Sequence, residues 1–178
     1  MENYLAIQYA PDFEVLRAAI GRTVAELARD QYYFNNEPSG TDNGSLEVRL
    51  DDGNVITLRL AGDGQSVRAD AQPLKITPPF SLSENAHCSW RRVELTALSD
   101  FASLRGQKLN AIEAIIEIWK DQNSSGYING WVLHFEAGDF VCYFNYGDEA
   151  RILLNELPTP EYPVDVQMET IAAIEDAA

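Results

Sequence analysis

The strongest constraint on what this chain folds into is that it nearly repeats itself. Displaced by 85 residues, Gly21 falls on Gly106, Val24 on Leu109, Leu27 on Ile112 and Phe34 on Trp119. The same displacement carries Leu46, Val48 and Leu50 onto Trp131, Leu133 and Phe135, and Gly53 onto Gly138. It continues with Val55 and Ile56 on Phe140 and Val141, Leu58 on Tyr143, Gly62-Asp63 on Gly147-Asp148, and Val67 on Ile152. After a three-residue adjustment, Asp12-Phe13-x-x-Leu16-Arg17 matches Asp100-Phe101-x-x-Leu104-Arg105. Identities are few; what recurs is the order of turn glycines and apolar positions, the signature of one supersecondary unit used twice.

Each copy reads as a β-meander. Leu46-Glu47-Val48-Arg49-Leu50 alternates apolar and polar residues, as a half-buried strand does, and Asp52-Gly53 supplies a turn that accepts positive φ. Residues 55–60 are the predicted return strand, and the second copy repeats this with strands over 131–135 and 140–146 around Ala137-Gly138. Gly62-Asp63-Gly64 and Gly147-Asp148-Glu149 turn into short third strands at 66–70 and 150–154. For the segments that precede the hairpins, 22–34 and 109–119, periodicity leaves helix and strand both open. The aromatic run Tyr32-Tyr33-Phe34 favours a long first strand in each copy. Residues 12–20 and 100–105 read as single helical turns, each opened by an aspartate that caps free N–H groups.

The predicted class is therefore α+β and mainly antiparallel β: an internally duplicated β-meander with short helical turns preceding each copy. Its parts are an N-terminal segment with a short helix (1–20), a first copy (21–70), a connector with an extra strand at 89–95 (71–105), a second copy (106–155) and an acidic tail (156–178). The two copies are expected to pack as one domain. Loops are expected at 35–44 and 122–126. A short helix is expected over 168–177, and truncation after Pro158 is expected to leave folding intact.

With 178 residues, 46% of them hydrophobic, such a chain buries a core without needing a disulfide or a metal. Cys88 and Cys142 lack ligand spacing and read as reduced, buried thiols. Its formal charge of −15 argues against nucleic acid and anionic membrane surfaces, both of which require basic stripes. The acidity is uneven: the tail holds six carboxylates and no lysine or arginine. The first residues show no basic n-region or apolar h-region, and no segment is long and apolar enough for a membrane span, which predicts a cytoplasmic protein.

No catalytic, cofactor-binding or metal-binding set emerges. His134 falls opposite Arg49 under the repeat and reads as a position on a solvated face. The His87-Cys88 pair puts a thiol beside a base, yet neighbours in a strand point apart. Asp63 and Asp148 recur at matching positions, where aspartate serves its own turn. Asp51-Asp52-Gly53-Asn54 lacks the later acidic ligand of a calcium loop. P-loop, GxGxxG, GxSxG, HExxH and zinc spacings are absent from the sequence, and an enzyme is not the expectation.

Taken together, Gly-x-x-Val-x-x-Leu, Leu-x-Val-x-Leu-Asp-Asp-Gly-x-Val, Gly-Asp-Gly, a Trp-bearing connector and Trp-Val-Leu-x-Phe with Tyr-Gly-Asp-Glu resemble a class of bacterial cytoplasmic proteins that carry two such β units in tandem. The resemblance spans roughly residues 12–156, implies the architecture and brings no activity with it. In style the chain is also similar to small acidic immunity proteins that neutralise a toxin. Two function classes follow: a non-enzymatic module for a basic protein partner, or a small-ligand or catalytic domain. The second would use a pocket between the copies lined by Tyr32, Tyr33, Phe34, Trp119 and Trp131.

Overall fold

A computed structural model of the chain describes residues 5, 7–38, 44–119, 126–147, 149–159 and 164–171. The first half forms helix α1 (Ala10–Ala19) and strands β1 (Val24–Phe34), β2 (Glu37–Pro38), β3 (Leu46–Leu50), β4 (Val55–Leu60), β5 (Val67–Asp70), β6 (Phe80–Ser83) and β7 (Ala86–Glu94). Two 3-10 turns, Leu95–Ala97 and Ala102–Leu104, lead into β8 (Leu109–Trp119), β9 (Tyr127–Phe135), β10 (Phe140–Asn145), β11 (Ala150–Leu154) and β12 (Val164–Ile171). All strand pairing is antiparallel, in a seven-stranded sheet ordered β5-β4-β3-β1-β7-β6, with β2 on β1, and a five-stranded sheet ordered β11-β10-β9-β8-β12.

The repeat read from sequence is a repeat in hydrogen bonds. β1 and β8 begin and end 85 residues apart, as do β4 and β10. Both copies carry the same bulge: register shifts between Val24 and Glu26 against β3, and between Leu109 and Ala111 against β9. The two first strands meet head to head through reciprocal bonds. Gly21 N–H donates to Leu109 O at 2.7 Å and Gly106 N–H to Val24 O at 2.8 Å, while Val24 N–H reaches Gln107 O and Leu109 N–H reaches Arg22 O, both at 2.8 Å. Gly21 and Gly106 each hold φ +85°, and a Cβ at either would meet nothing within 4 Å. Backbone conformation, not space, requires glycine there.

Correspondence breaks at the third strand. Leu60 pairs with Val67, whereas its equivalent Asn145 pairs with Ala150, so the first copy's turn is two residues longer. Val67 thus matches Ala150 rather than Ile152. A two-residue step preserves which face is buried, which is why sequence alternation did not reveal it.

The tail corrects a larger expectation. Val164–Ile171 is a strand, paired residue for residue with β8 from Val164↔Trp119 to Ile171↔Ile112, rather than the start of a helix; residues 172–177 lie outside the described ones. It takes the place that β7 takes beside β1. Leu95, just after β7, and Ile171, at the end of β12, are both buried, at 3% and 5% exposure. The strand expected in the connector is β7, longer than predicted and joined by β6.

The sheets and α1 share one apolar core that includes Leu46, Val48, Ile56 and Leu58 from the first sheet and Ile112, Trp131, Leu133 and Tyr143 from the second. The helix exceeds the expected single turn. Pro11 lies in its first turn, where a missing N–H costs nothing, and Asp12, Leu16 and Ala19 recur on its buried face. Asp12 is therefore not a cap, since neither α1 nor the Ala102–Leu104 turn has a side-chain cap. Its carboxylate is 1% exposed and grips β5, taking Arg68 Nε at 2.9 Å and Nη2 at 2.7 Å and the Ala69 N–H at 2.6 Å. Tyr9, fully buried, accepts the Ile128 N–H at 3.3 Å and ties the same end of the helix to β9.

Candidate functional site

The singled-out residues do not converge. His134 faces outward from β9 with its Nε2 2.7 Å from Glu113 Oε2, and the Thr170 hydroxyl donates to Glu113 Oε1 at 3.2 Å. A partner invisible in sequence thus exists, supplied by the neighbouring strand. The hydroxyl meets the carboxylate and not the imidazole, so the order that activates a nucleophile is not assembled.

His87 and Cys88 point to opposite faces of β7, as strand alternation requires. His87 Nδ1 lies 2.8 Å from Ser81 Oγ across the β6–β7 hairpin, where the two residues are register partners. Cys88 is buried, and its Sγ accepts the Tyr32 hydroxyl at 3.0 Å. That contact, with burial and the charge the thiol would carry, raises the Tyr32 hydroxyl above its ordinary pKa. Cys142 is also free and buried, and burial pushes its thiol up to about 12, so it stays protonated and inert.

The aspartates serve turns. Asp63 accepts the N–H groups of Gln65 and Ser66 at 2.9 and 2.8 Å and the Ser66 hydroxyl; burial pushes its carboxyl up, and these bonds outweigh it and hold it low. Asp52 takes the Asn54 N–H at 2.9 Å, which lowers its pKa, helped by the Asn54 amide and Arg22. Asp148 lies outside the described residues. Among those described, no three His, Cys, Asp or Glu side chains gather as a metal site.

Nor do the aromatic residues line one cavity. Trp131 is fully buried in the core, packed edge-on against Phe13 at 5.9 Å. Tyr32 packs on Trp90 at 5.4 Å, and Tyr33 lies under the Arg91 guanidinium at 4.2 Å on the other face of β1. Phe34 is 39% exposed, and only the backbone of Trp119 is described. One concavity, a notch of about 330 Å³, lies beside the β6–β7 hairpin, lined by residues that include Phe80, His87, Trp90 and Arg91.

What the fold assembles conspicuously is ion pairs within the chain. Glu47, with 2% of its side chain exposed, takes Arg92 Nη2 at 2.6 Å, Arg49 Nη2 at 3.2 Å and the Leu74 N–H at 2.6 Å. Arg92 also pairs with Glu26. Burial pushes the Glu47 carboxyl up, and the bonds from Arg92, Leu74 and Arg49 outweigh it and hold it below the usual glutamate range. A depressed folded-state pKa contributes stability above the unfolded value and loses it as pH falls through the folded one. The melting temperature of the wild type should therefore exceed that of Glu47→Gln at neutral pH, with the gap closing as pH drops below the glutamate range. A gap unchanged by acid would show that Glu47 contributes by packing alone.

Arg22, Arg59, Arg68, Arg105 and Arg151 pair in the same way with Asp52, Asp70, Asp12, Glu94 and Glu149. Among the described residues, no helix is long and apolar enough to cross a membrane. No protein-family model, curated protein or solved structure matches this chain.

Proposed function

We propose that this chain is a non-enzymatic protein-binding module that neutralises a basic partner protein in the cytoplasm, in the manner of an immunity-type inhibitor. The disposition of charge supports this reading. The chain has 13 basic residues against 28 acidic ones, and Arg22, Arg49, Arg59, Arg68, Arg92, Arg105 and Arg151 are engaged by its own carboxylates. The field outside the molecule is then set by the surplus acid, which accelerates encounter with a cationic surface and disfavours anionic ones. Capture of partners from bacterial cytoplasm on the immobilised full chain tests this. A basic protein should bind at low salt and be released progressively as salt screens the pair. Recovery of no basic protein, or binding indifferent to salt, rejects the reading.

The notch beside β6–β7 favours a second reading, a small-ligand site, because it joins aromatic walls to a Ser81–His87 pair and Arg91. A metabolite that raises the melting temperature of the wild type but not of Trp90→Ala would support it.

A further inference from the structure

The repeat leaves open in one copy a place that it closes in the other. In the second copy the Gln107 side chain ties the 3-10 turn ahead of β8 to the β9–β10 turn. Its amide donates to Ser103 O at 2.9 Å and to Asp139 Oδ2 at 3.2 Å, and its carbonyl accepts the Ala137 N–H at 3.2 Å. The residue that stands 85 positions earlier, Arg22, reaches Asp52 at 3.8 Å instead, and the Asn54 amide donates to the same aspartate at 3.0 Å. Among the described residues no hydrogen bond joins α1 to the β3–β4 turn.

Between them lies a groove of about 350 Å³, lined by residues that include Glu14, Val15, Ala18 and Ala19 of α1 and Leu50 and Ile56 of the hairpin. Its floor is the main core, since Ala19, Leu50 and Ile56 are all buried there. Phe135 takes the place of Leu50 in the second copy, opposite Leu109 as Leu50 is opposite Val24, so that copy holds a phenyl ring where this one holds a smaller side chain. Glu14 is the only charged side chain among the described lining residues. It is exposed and has no hydrogen-bond or ion-pair partner among the described residues; Arg17, one turn along the helix, lies over the Phe13 ring at 5.7 Å. An apolar floor below one open carboxylate suits a molecule with an apolar body and a single positive charge. The body leaves water on the core residues, and the charge stays at the wet rim beside Glu14.

We propose that the groove between α1 and the β3–β4 hairpin binds a small amphipathic amine, with an apolar body the size of one ring and a protonated nitrogen paired with Glu14. This goes beyond the protein-binding reading, and the groove shares no lining residue with the β6–β7 notch. An exposed ion pair adds little affinity, so the body supplies most of the binding and the charge supplies the preference.

The probe is phenethylamine, with phenethyl alcohol and hydrocinnamate as its neutral and anionic counterparts, each titrated into the full chain and followed by backbone amide shifts. The amine should bind with a Kd of about 1 mM, as its size allows, and shift the amides of 14–19 and 50–56. It should bind about threefold more tightly than the alcohol, and the anion should bind more weakly still. Glu14→Gln should erase the preference for amine over alcohol while both still bind. Ala18→Leu, a good helix former at an exposed position, should fill the mouth of the groove and weaken both ligands about tenfold with the melt unchanged. Ala71→Leu, also at an exposed lining position, takes its place if that variant melts abnormally. Trp90→Ala, in the other notch, should leave binding as it is. Equal binding of amine and alcohol by the wild type, a preference that survives Glu14→Gln, or binding indifferent to the groove-filling variants overturns the proposal. Shifts spread over the acidic surface, the mark of an amine that follows net charge alone, overturn it too, as do shifts centred on Trp90.

Discussion

Asp12→Ala should lower stability by about 3 kcal/mol, because it deletes one member of a buried ion pair and leaves the other without its counter-charge. The site explains the size. Asp12 is 1% exposed and accepts two Arg68 donors and the Ala69 N–H, so one carboxylate holds α1 against β5. Arg68 retains 37% side-chain exposure and can rehydrate in the variant, which keeps the loss at the lower end of the range for such pairs. At roughly 2–4 °C per kcal/mol for a chain of this size, the melting temperature should fall by about 6–12 °C. Asp12→Asn, which still offers an acceptor to Ala69, should lose less. A loss below about 1 kcal/mol for the alanine variant would mean that α1 is held by Leu16 and Tyr9 and that the ion pair is incidental.

Truncation after Pro158 should be at least as costly, contrary to what composition suggests about an acidic tail. It removes β12 and with it the Ile171 side chain, whose burial is worth about 1.5–3 kcal/mol. It also removes a ladder of eight residue pairs, each cross-strand contact contributing about 0.2–1 kcal/mol. Glu113 loses the Thr170 hydroxyl, and the outer side of Ile112, Ala114 and Ile116 is opened to water. A loss of about 4 kcal/mol, or roughly 8–16 °C in the melting temperature, is expected, with cooperativity retained because the remaining core stays continuous. A melt unchanged by truncation would show β12 to be an ornament on β8.

Much of this fold was legible because local chemistry and global fold agree. Alternation in 46–50, the Asp52-Gly53 turn and the return over 55–60 became β3 and β4 at the same residues. The ambiguous segments 22–34 and 109–119 resolved as strands. Their inner rows reach the core, and their N-terminal ends are locked together by the reciprocal bonds around Gly21 and Gly106. In the tail Val164, Val166 and Met168 alternate with Asp165, Gln167 and Glu169 as a strand's residues do, and the acidic composition obscured that signal. All but the two ends of Val164–Ile171 are exposed, so β12 forms on the edge that β8 offers rather than around an apolar row of its own. The partners of the candidate residues were hidden for the same reason. Glu113 for His134 and Tyr32 for Cys88 lie on neighbouring strands and are brought near by register, and Arg68 for Asp12 is brought near by the packing of α1 on β5.

By itself the sequence determined the repeat, the antiparallel strand pattern and the surplus of negative charge, since each is carried by residue type and spacing within short stretches. Only the tertiary structure decided where Asp12 is anchored and that the acidic tail forms the last strand of the second sheet. Those depend on pairing between segments far apart in the chain. Such pairing is favoured by burial and hydrogen bonds that exist only once the sheets have formed.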